Sequence, residues 1–264
     1  MKSDWTIVTV THNSAADLTE FSVTYDPGGP YWIVVDNNSK DDTLEVADRL
    51  GAFKRVALKE NIGFSKANNL GLDAVATKYV AFVNPDVTVD LDSLDRIDLE
   101  LFENSSIASP QLLFRGGEKQ PNGRSFPFLA YKISNRISFL PSLRNSYQKY
   151  AKENESIDVA WLMGAVIMGE TETFQKIGGW SQKYFLYYED TDLCLSIRKT
   201  GGSVTLLGDH NWIHGWKRET SKLRIKPWVR EISSMTKFYW SYKIFLRLPT
   251  KKAVSKAQKI FGGQ

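Results

Sequence analysis

The chain has 264 residues, 42% hydrophobic and 24% charged, an ordinary composition for a globular protein with one sizeable core. Of its 34 basic and 30 acidic residues, 13 basic and 2 acidic lie from Lys217 onward, so an acidic body of 21 basic and 28 acidic residues precedes a basic tail. A single cysteine excludes a disulfide framework and a thiolate metal site, and the chain has neither a membrane-length apolar run nor an apolar signal segment, so we expect a cytoplasmic protein.

The first part of the chain alternates between strand and helix patterns. Runs of β-branched and apolar residues predict four strands, at residues 6–11, 32–35, 53–58 and 79–83. Helical spacing and a capping signal predict three helices, one opening at Ser39 and two over residues 64–76 and 92–102. Strands that alternate with helices predict an α/β fold, with a mostly parallel sheet flanked by helices.

The later part of the chain is less regular. Residues 116–156 are rich in Gly, Pro, Asn and Ser without clear periodicity, which predicts a long active-site loop or a small insertion. Order returns with a strand pattern at residues 159–168. The sequence then predicts helices at residues 170–177 and 189–200 and late strands at residues 203–207 and 211–213.

The tail predicts a basic amphipathic helical extension. Apolar residues recur every three or four positions from Trp228 to Leu246, which predicts a helix with one apolar stripe that ends before Pro249. A shorter basic helix is expected beyond it. The stripe has two interpretations: it packs on the body of the protein, or it lies on an anionic membrane surface.

Polar clusters follow four strand patterns directly, and each lies at the carboxyl end of its strand. They occupy residues 11–13, 36–39, 61–63 and 84–86. In open α/β sheets, ligands bind beyond the carboxyl ends of the strands, so these turns predict one ligand crevice. Neither G-x-G-x-x-G nor G-x-x-x-x-G-K-[ST] occurs in the chain, so the ordinary dinucleotide and P-loop sites lack their fingerprints. Asp86 is suited to a Mg²⁺ or Mn²⁺ ion that also binds a diphosphate.

Three acids, Glu189, Asp190 and Asp192, begin a predicted helix that is preceded by two tyrosines. The helix dipole favours acids at this position, and that alone could account for them. A partly desolvated carboxylate beside a packed pocket is also suited to act as a general base.

Five segments in this order resemble the motifs of the inverting family 2 glycosyltransferases. They are VDNNSKDDT (35–43), NIGFSKANNLG (61–71), FVNPD (82–86), GAVIM (164–168) and IGGWSQKYFLYYEDTDLCLSIRKTG (177–201). The version here is most similar to the rhamnosyltransferase branch. The resemblance implies a Rossmann-like GT-A fold and a hexosyltransferase. The implied catalytic domain, residues 1–215, has a nucleotide-binding half (1–110) and an acceptor-binding half (111–215) with loop 116–156. Residues 216–264 form the basic helical extension.

The resemblance also implies roles for individual residues. The donor nucleotide-sugar would be bound by Thr11, His12, Asn13, Asp36, Asn37, Asn38, Gly63, Asn68, Asn84, Asp86, Lys217 and Arg218. Asn68 stands where many relatives have an arginine, and Asn84 replaces the family's first acid, which leaves Asp86 as the metal carboxylate. His214 would complete a site for Mg²⁺ or Mn²⁺. Asp190 would be the catalytic base, and the acceptor-side residues would be Trp161, Gly164, Ala165, Glu189 and Asp192.

The implied donor is dTDP-rhamnose, with UDP-galactofuranose, UDP-glucose and UDP-N-acetylglucosamine as alternatives. The implied acceptor is a glycan or lipid-linked glycan of bacterial cell-surface polysaccharide, such as lipopolysaccharide O antigen, used at the inner face of the cell membrane. A non-catalytic module that binds a sugar nucleotide or glycan is the competing interpretation. Nucleic acid is not expected as a partner, because the helical stripe places Tyr239 on the apolar side. The sequence is compatible with a homo-oligomer as well as with a monomer.

Overall fold

The computed structural model describes residues 4–23, 29–136, 145–216 and 225–262. The strands are β1 (Trp5–Thr11), β2 (Tyr31–Asp36), β3 (Lys54–Ala57), β4 (Tyr79–Val83), β5 (Val87–Thr88), β6 (Ile107–Leu113), β7 (Gly123–Arg124), β8 (Gln148–Lys149), β9 (Ser156–Asp158), β10 (Trp161–Leu162), β11 (Val166–Glu170) and β12 (Val204–His214). The α-helices are α1 (Ala15–Phe21), α2 (Thr43–Arg49), α3 (Phe64–Asp73), α4 (Leu91–Asp95), α5 (Leu129–Arg136), α6 (Thr171–Lys176), α7 (Glu189–Lys199), α8 (Ile225–Ser241) and α9 (Lys251–Phe261). Two 3-10 helices cover Leu99–Ser105 and Lys243–Leu246.

The main sheet has the strand order β3-β2-β1-β4-β11-β6-β12-β5, with β9 paired to β12 beside this path. Strands β3, β2, β1 and β4 run parallel, whereas β11 is antiparallel to both β4 and β6. A smaller antiparallel sheet has the order β10-β7-β8. The predicted α/β architecture, a mostly parallel sheet flanked by helices, is confirmed.

Strand β1 shows why the parallel strands are continuous apolar runs in the sequence. All seven of its residues are buried. Val8 and Val10 belong to one hydrophobic cluster, and Trp5 and Ile7 belong to a second cluster. Successive strand residues point to opposite faces, so a strand covered on both faces needs apolar residues at every position.

Two predictions in the first half need correction. No helix opens at Ser39: its hydroxyl donates to the Asp36 carboxylate, and α2 begins at Thr43. The helix predicted over residues 92–102 is divided into α4 and a 3-10 helix. The Asp98 side chain accepts a hydrogen bond from the Glu100 amide and caps the start of this 3-10 helix.

Two further predictions in the second half also change. The region 116–156 contains helix α5 and two paired strands, β7 and β8. Each of these strands has only two residues, so neither shows a periodicity in the sequence. The two late strands are one strand, β12, whose pairing with β6 is irregular between Leu207 and Asn211.

The C-terminal helices pack on the rest of the protein. In α8, the Ser234 hydroxyl donates to the Leu186 carbonyl at 2.8 Å, and the Tyr239 hydroxyl donates to the Pro127 carbonyl at 2.9 Å. The Phe238 ring lies 5.0 Å from the Tyr188 ring. In α9, Phe261 is buried against this cluster. Of the two interpretations of the stripe, packing on the body is the one that the structure shows.

The predicted stripe differs in detail from the packed face. Ile232 and Leu246 are exposed, whereas Phe238 and Phe245 are buried. Helix α8 ends at Ser241, so the residues after it no longer follow the helical period from which the stripe was read. Among the described residues, no helix has both the length and the apolar character needed to cross a bilayer.

Candidate active site

A cleft of about 360 Å³ opens where β1, β2 and β4 end. Five of the predicted donor residues line it: Thr11, His12, Asn37, Gly63 and Asn84. They come from four separate turns, which the parallel strands bring to one edge of the sheet. The structure therefore places residues of all four polar clusters around one crevice.

The turns are held together by their own polar side chains. Asp36 is buried and accepts hydrogen bonds from the Thr11 hydroxyl at 2.9 Å and from the Ser39 amide at 2.9 Å. The Asn37 side-chain oxygen accepts from the Ile62 amide at 2.8 Å, which ties the second turn to the third. Asp36 thus shapes the cleft from behind and is not among the residues that line it.

His12 and its neighbours form the first turn. The His12 Nδ1 atom lies 2.9 Å from the Asn37 carbonyl oxygen, which can only accept, so Nδ1 carries the proton. The Asn13 side chain accepts from the Lys40 amide at 2.7 Å, and Asn38 accepts from the Lys40 ammonium at 2.7 Å. Asn13 and Asn38 adopt positive φ angles of 55° and 65° and do not line the cleft.

Gly63 permits a close approach of two segments at the cleft. Its φ is +90°, and a Cβ atom at this position would lie 2.7 Å from the Phe185 carbonyl oxygen. That carbonyl accepts a hydrogen bond from the Phe64 amide at 2.9 Å. The third polar turn is thereby joined to the segment that leads into α7, so this segment connects the cleft with the acid-bearing helix.

Asp86 and His214 meet at the end of β12. The His214 Nε2 atom lies 3.4 Å from the Asp86 Oδ1 atom, and the Gly215 amide donates to the Asp86 carbonyl at 2.8 Å. The His214 side chain is 4% exposed and the Asp86 side chain 15% exposed, so the pair is largely shielded but retains access on the carboxylate side. Two residues 128 positions apart in the sequence are thus brought together as predicted.

Asp190 is held by three hydrogen-bond donors at the start of α7. The Gly164 amide donates to its Oδ2 atom at 3.1 Å, while the Thr191 amide and hydroxyl donate to Oδ1 at 2.6 and 3.1 Å. A Cβ atom on Gly164 would lie 3.1 Å from the Asp190 Cβ atom, so only a glycine allows this backbone to come so close without displacement. The half-buried carboxylate is therefore fixed in orientation.

The two other acids of this helix have different surroundings. Glu189 is buried, and its Oε2 atom has no hydrogen-bond partner within the described parts of the chain. Burial, followed by the charge of Asp190, raises the pKa of Glu189 to about 8. Asp192 instead accepts from the Lys183 ammonium at 3.0 Å and the Tyr184 hydroxyl at 3.2 Å, so its carboxylate holds the start of the helix.

One short link connects the two halves of the site. The Asn84 amide, at the end of β4, donates to the Ala165 carbonyl at 2.9 Å. Ala165 directly follows Gly164, whose amide binds the Asp190 carboxylate. The strand that leads to Asp86 is thereby adjacent to the segment that positions Asp190.

A family model described as Glycosyl transferase family 2 matches residues 6–165, more than half of the chain. The chain belongs to glycosyl transferase family 2. The match confirms the family to which the five motifs pointed.

Among the family 2 relatives is the rhamnosyltransferase WbbL of Escherichia coli (strain K12), which is 31% identical over 165 residues, or 58% of this chain and 60% of WbbL. The N-acetylglucosaminyl-diphospho-decaprenol L-rhamnosyltransferase of Mycobacterium tuberculosis (strain H37Rv) is 24% identical over 218 residues, or 74% of this chain and 70% of that protein. The chain thus spans about three-fifths of the length of WbbL.

Solved structures support the fold. The mannosyltransferase PcManGT from Pyrobaculum calidifontis, solved in complex with GDP-Man and Mn²⁺, matches with a TM-score of 0.61 at 16% identity. The match covers 97% of this chain and 73% of that one. The family 2 chain therefore has the GT-A-like arrangement that the motifs implied.

The residues at the Asp86–His214 pair fit a divalent cation. A carboxylate oxygen and an imidazole nitrogen are both suitable ligands for Mn²⁺, and the carboxylate also suits Mg²⁺. Within the described ranges, no group of three or more His, Cys, Asp or Glu side chains could hold a metal. An ion bound here would take its remaining ligands from water and from the substrate phosphates, as Mg²⁺ usually does.

Of the other predicted donor residues, Asn68 does not line the cleft. Asn68 is buried, and its side-chain amide donates to the Phe64 carbonyl of its own helix at 3.1 Å. Lys217 and Arg218 lie outside the described residues. Of the predicted acceptor-side residues, Trp161 is buried in β10, where its backbone pairs with that of Arg124 in β7.

The cleft also contains residues that the sequence did not single out for binding. Phe185, Tyr187, Trp216 and Arg230 line it. The Arg230 guanidinium lies 4.5 Å from the centre of the Phe185 ring. In the sequence, Arg230 falls on the polar side of the predicted tail helix, but its position at the cleft depends on how α8 packs.

Proposed function

We propose that this family 2 chain is an inverting hexosyltransferase that moves a sugar from a nucleotide-sugar to a glycan or lipid-linked glycan. The observation that carries the proposal is that two separate acids lie close to one residue of the cleft, Asn84. Asp86 follows Asn84 by two positions and pairs with His214, while Asp190 is bound by Gly164, next to the Asn84–Ala165 link. Transfer needs a cation beside the leaving diphosphate and a base beside the attacking hydroxyl. Asp86 with His214 would hold the cation, and Asp190 would be the base.

In the proposed reaction, the Asp190 carboxylate accepts the proton of the acceptor hydroxyl as that oxygen attacks the anomeric carbon. The bond from that carbon to the nucleoside diphosphate breaks in the same displacement, which inverts the anomeric centre. Asp86 and His214 would hold a Mg²⁺ or Mn²⁺ ion, which would supply positive charge beside the departing diphosphate. Arg230, at the edge of the cleft, adds a second positive charge there.

The preferred donor is dTDP-rhamnose. Support comes from WbbL and the decaprenol relative, which are both named as rhamnosyltransferases. UDP-galactofuranose, UDP-glucose and UDP-N-acetylglucosamine are the alternatives. The name of the decaprenol relative also supports an acceptor linked to a lipid through a diphosphate.

A thermal-shift panel tests the donor. Binding to the folded state alone raises the unfolding temperature, so the true donor with Mn²⁺ or Mg²⁺ should stabilise the protein more than the other nucleotide-sugars. We expect the largest shift with dTDP-rhamnose. A larger shift with a UDP-sugar would contradict rhamnose as the donor sugar but agree with the proposed transferase activity. No shift with any nucleotide-sugar would contradict the transferase activity itself.

We also propose a peripheral association with the cytoplasmic face of the membrane. Within nine residues, the side chains of Trp240, Leu246 and Leu248 are 75%, 53% and 72% exposed. Exposed basic residues accompany them, namely Lys243, Arg247, Lys251 and Lys252. We call these seven residues the tail surface. Exposed apolar side chains beside Lys and Arg suit the interface of an anionic leaflet, where a lipid-linked acceptor would be presented.

A further inference from the structure

The side-chain amide of Gln120 contacts His214 through both its oxygen and its nitrogen atom. The Gln120 Oε1 atom lies 2.8 Å from the His214 Nδ1 atom, and the Gln120 Nε2 group donates to the His214 carbonyl at 2.7 Å. The same Nε2 group lies 3.2 Å from the Leu113 carbonyl. Gln120 is fully buried, in a region that the sequence predicted as a long loop or a small insertion.

This contact determines which nitrogen of His214 carries the proton. Both carbonyl oxygens accept hydrogen bonds, so the NH₂ group of Gln120 must face them, and the amide oxygen must face the imidazole. An amide oxygen can only accept, so Nδ1 is the donor. In the neutral ring, Nε2 then carries a lone pair, and it faces the Asp86 Oδ1 atom at 3.4 Å.

Two acceptors that face each other at this distance repel unless a cation or a proton lies between them. A metal-binding histidine typically donates its other ring N–H to a fixed partner, which sets the tautomer and orients the ring. We propose that Gln120 is a positioning residue that keeps His214 in the Nδ1–H tautomer, so that Nε2 is free to bind a divalent cation with Asp86. The cation part of this inference rests on the proposed function.

Other buried amides hold Gln120 in place. The Gln111 side chain donates to the Gln120 carbonyl at 2.7 Å and to the Asn122 side-chain oxygen at 2.9 Å. All three side chains are fully buried. Buried polar groups are costly unless they are paired, and a paired network is correspondingly rigid. The network therefore fixes the Gln120 side chain, and with it the orientation of the His214 imidazole, without using a charged residue.

Nitrogen NMR of the histidine rings tests the tautomer without metal or substrate. The chain has only three histidines, so long-range proton–nitrogen spectra of the full protein are simple to assign. We expect a protonated Nδ1 and a bare Nε2 for His214 in the wild type at mildly alkaline pH. In Gln120→Leu we expect loss of this tautomer, while Gln120→Glu, which retains an acceptor, keeps it. A wild-type His214 with its proton on Nε2 would overturn the proposal.

Mn²⁺ binding in the presence of dTDP or UDP, followed by electron paramagnetic resonance, tests the consequence. We expect Gln120→Leu to weaken Mn²⁺ binding by about 10- to 100-fold. Gln120→Glu should bind within a few-fold of wild type. Ser93→Ala is the matched control, because it removes a buried 2.8 Å hydrogen bond to Trp212 on the same strand without reaching His214.

Unchanged Mn²⁺ binding in Gln120→Leu, or an equal loss in Ser93→Ala, would overturn the positioning role. Failure of the proposed function is seen separately, in a wild-type protein that binds no nucleotide-sugar. The histidine spectra do not depend on donor binding, so the two failures are distinguishable. Where Gln120→Leu does not fold, the Gln120→Glu spectra and the wild-type tautomer still decide the proposal.

Discussion

Glu189 and Asp190 are adjacent in the sequence but have opposite surroundings. Asp190 is half-buried and accepts three hydrogen bonds, whereas Glu189 is buried beside it with one oxygen atom unpaired within the described residues. Burial and the charge of Asp190 raise the pKa of Glu189 to about 8. The two acids therefore differ in their surroundings, although both occupy the same motif.

Replacement of Glu189 by Gln should remove a pH dependence of stability. The carboxyl pKa rises from 4.5 in the unfolded chain to about 8 in the folded protein, so the folded state holds an extra proton between these values and the wild type loses stability as pH rises through that window. Urea unfolding at pH 5.5 and pH 8.5 should show that Glu189→Gln gains on the order of 3 kcal/mol relative to wild type at the higher pH. Identical pH dependence in both proteins would contradict the assignment.

The pattern of residue types did not distinguish the three acids of α7, and only the family resemblance implied that Asp190 is the base and that Glu189 and Asp192 lie on the acceptor side. Their partners are distant in the chain or depend on packing: Gly164 binds Asp190, and the Lys183–Tyr184 pair binds Asp192. The sequence also could not reveal Gln120, because a buried amide in an irregular region has no periodic signal. Residue types at the strand ends were predictable, whereas the hydrogen bonds among them were not.

At the level of elements, the strand ends determine the site. The strands of the parallel half were predictable because apolar runs covered on both faces have a clear signal. Helix bounds were less predictable, since polar side chains such as Asp36 and Asp98 bind backbone groups or neighbours and move a helix start by several residues. The paired strands β7 and β8 are too short for any pattern to show.

Gly63 should be needed for the close contact between its turn and the segment before α7. Alanine at a positive φ costs about 1–2 kcal/mol by itself. At Gly63 the new Cβ atom would also meet Phe185 at 2.7 Å. We expect Gly63→Ala to lower the free energy of unfolding by clearly more than Gly178→Ala, measured by urea denaturation.

Gly178 is the matched control for this comparison, because its φ is +79° and a Cβ atom there would have no neighbour within 4 Å. The difference between the two variants isolates the contact with Phe185. Gly63→Ala should also weaken nucleotide binding, since Gly63 lines the cleft. Equal costs for the two substitutions would show that the close approach is unimportant.

At the scale of the whole molecule, the uneven charge of the sequence corresponds to a body and a tail that pack together. Helix α8, the 3-10 helix that follows it and α9 contribute Phe238, Phe245 and Phe261, respectively, to the hydrophobic core. Arg198 of α7 donates to the Gly262 carbonyl at 3.3 Å. The spacing of apolar residues predicted these helices, but the side that faces the body depends on Tyr188 and its neighbours, which lie far away in the sequence.

Charge reversal at the tail surface should weaken membrane binding without disturbing the core. Each Lys or Arg near an anionic leaflet contributes about 1 kcal/mol, so Lys251→Glu with Lys252→Glu should reduce sedimentation with phosphatidylglycerol vesicles at least about tenfold. Lys54→Glu with Lys59→Glu is a control of equal charge change at exposed positions elsewhere. Equal losses in the two double variants would contradict a specific tail surface.

The most direct test of the central claim is Asp190→Asn, with kcat and the donor dissociation constant measured on the same preparation. Asp192→Asn is the control, because the Asp192 carboxylate is already bound by Lys183 and Tyr184. If Asp190 is the general base, kcat falls by about 10²- to 10⁴-fold while donor affinity stays within about twofold, and Asp192→Asn keeps most of its activity. Retained kcat in Asp190→Asn, or an equal loss of donor affinity, would contradict it.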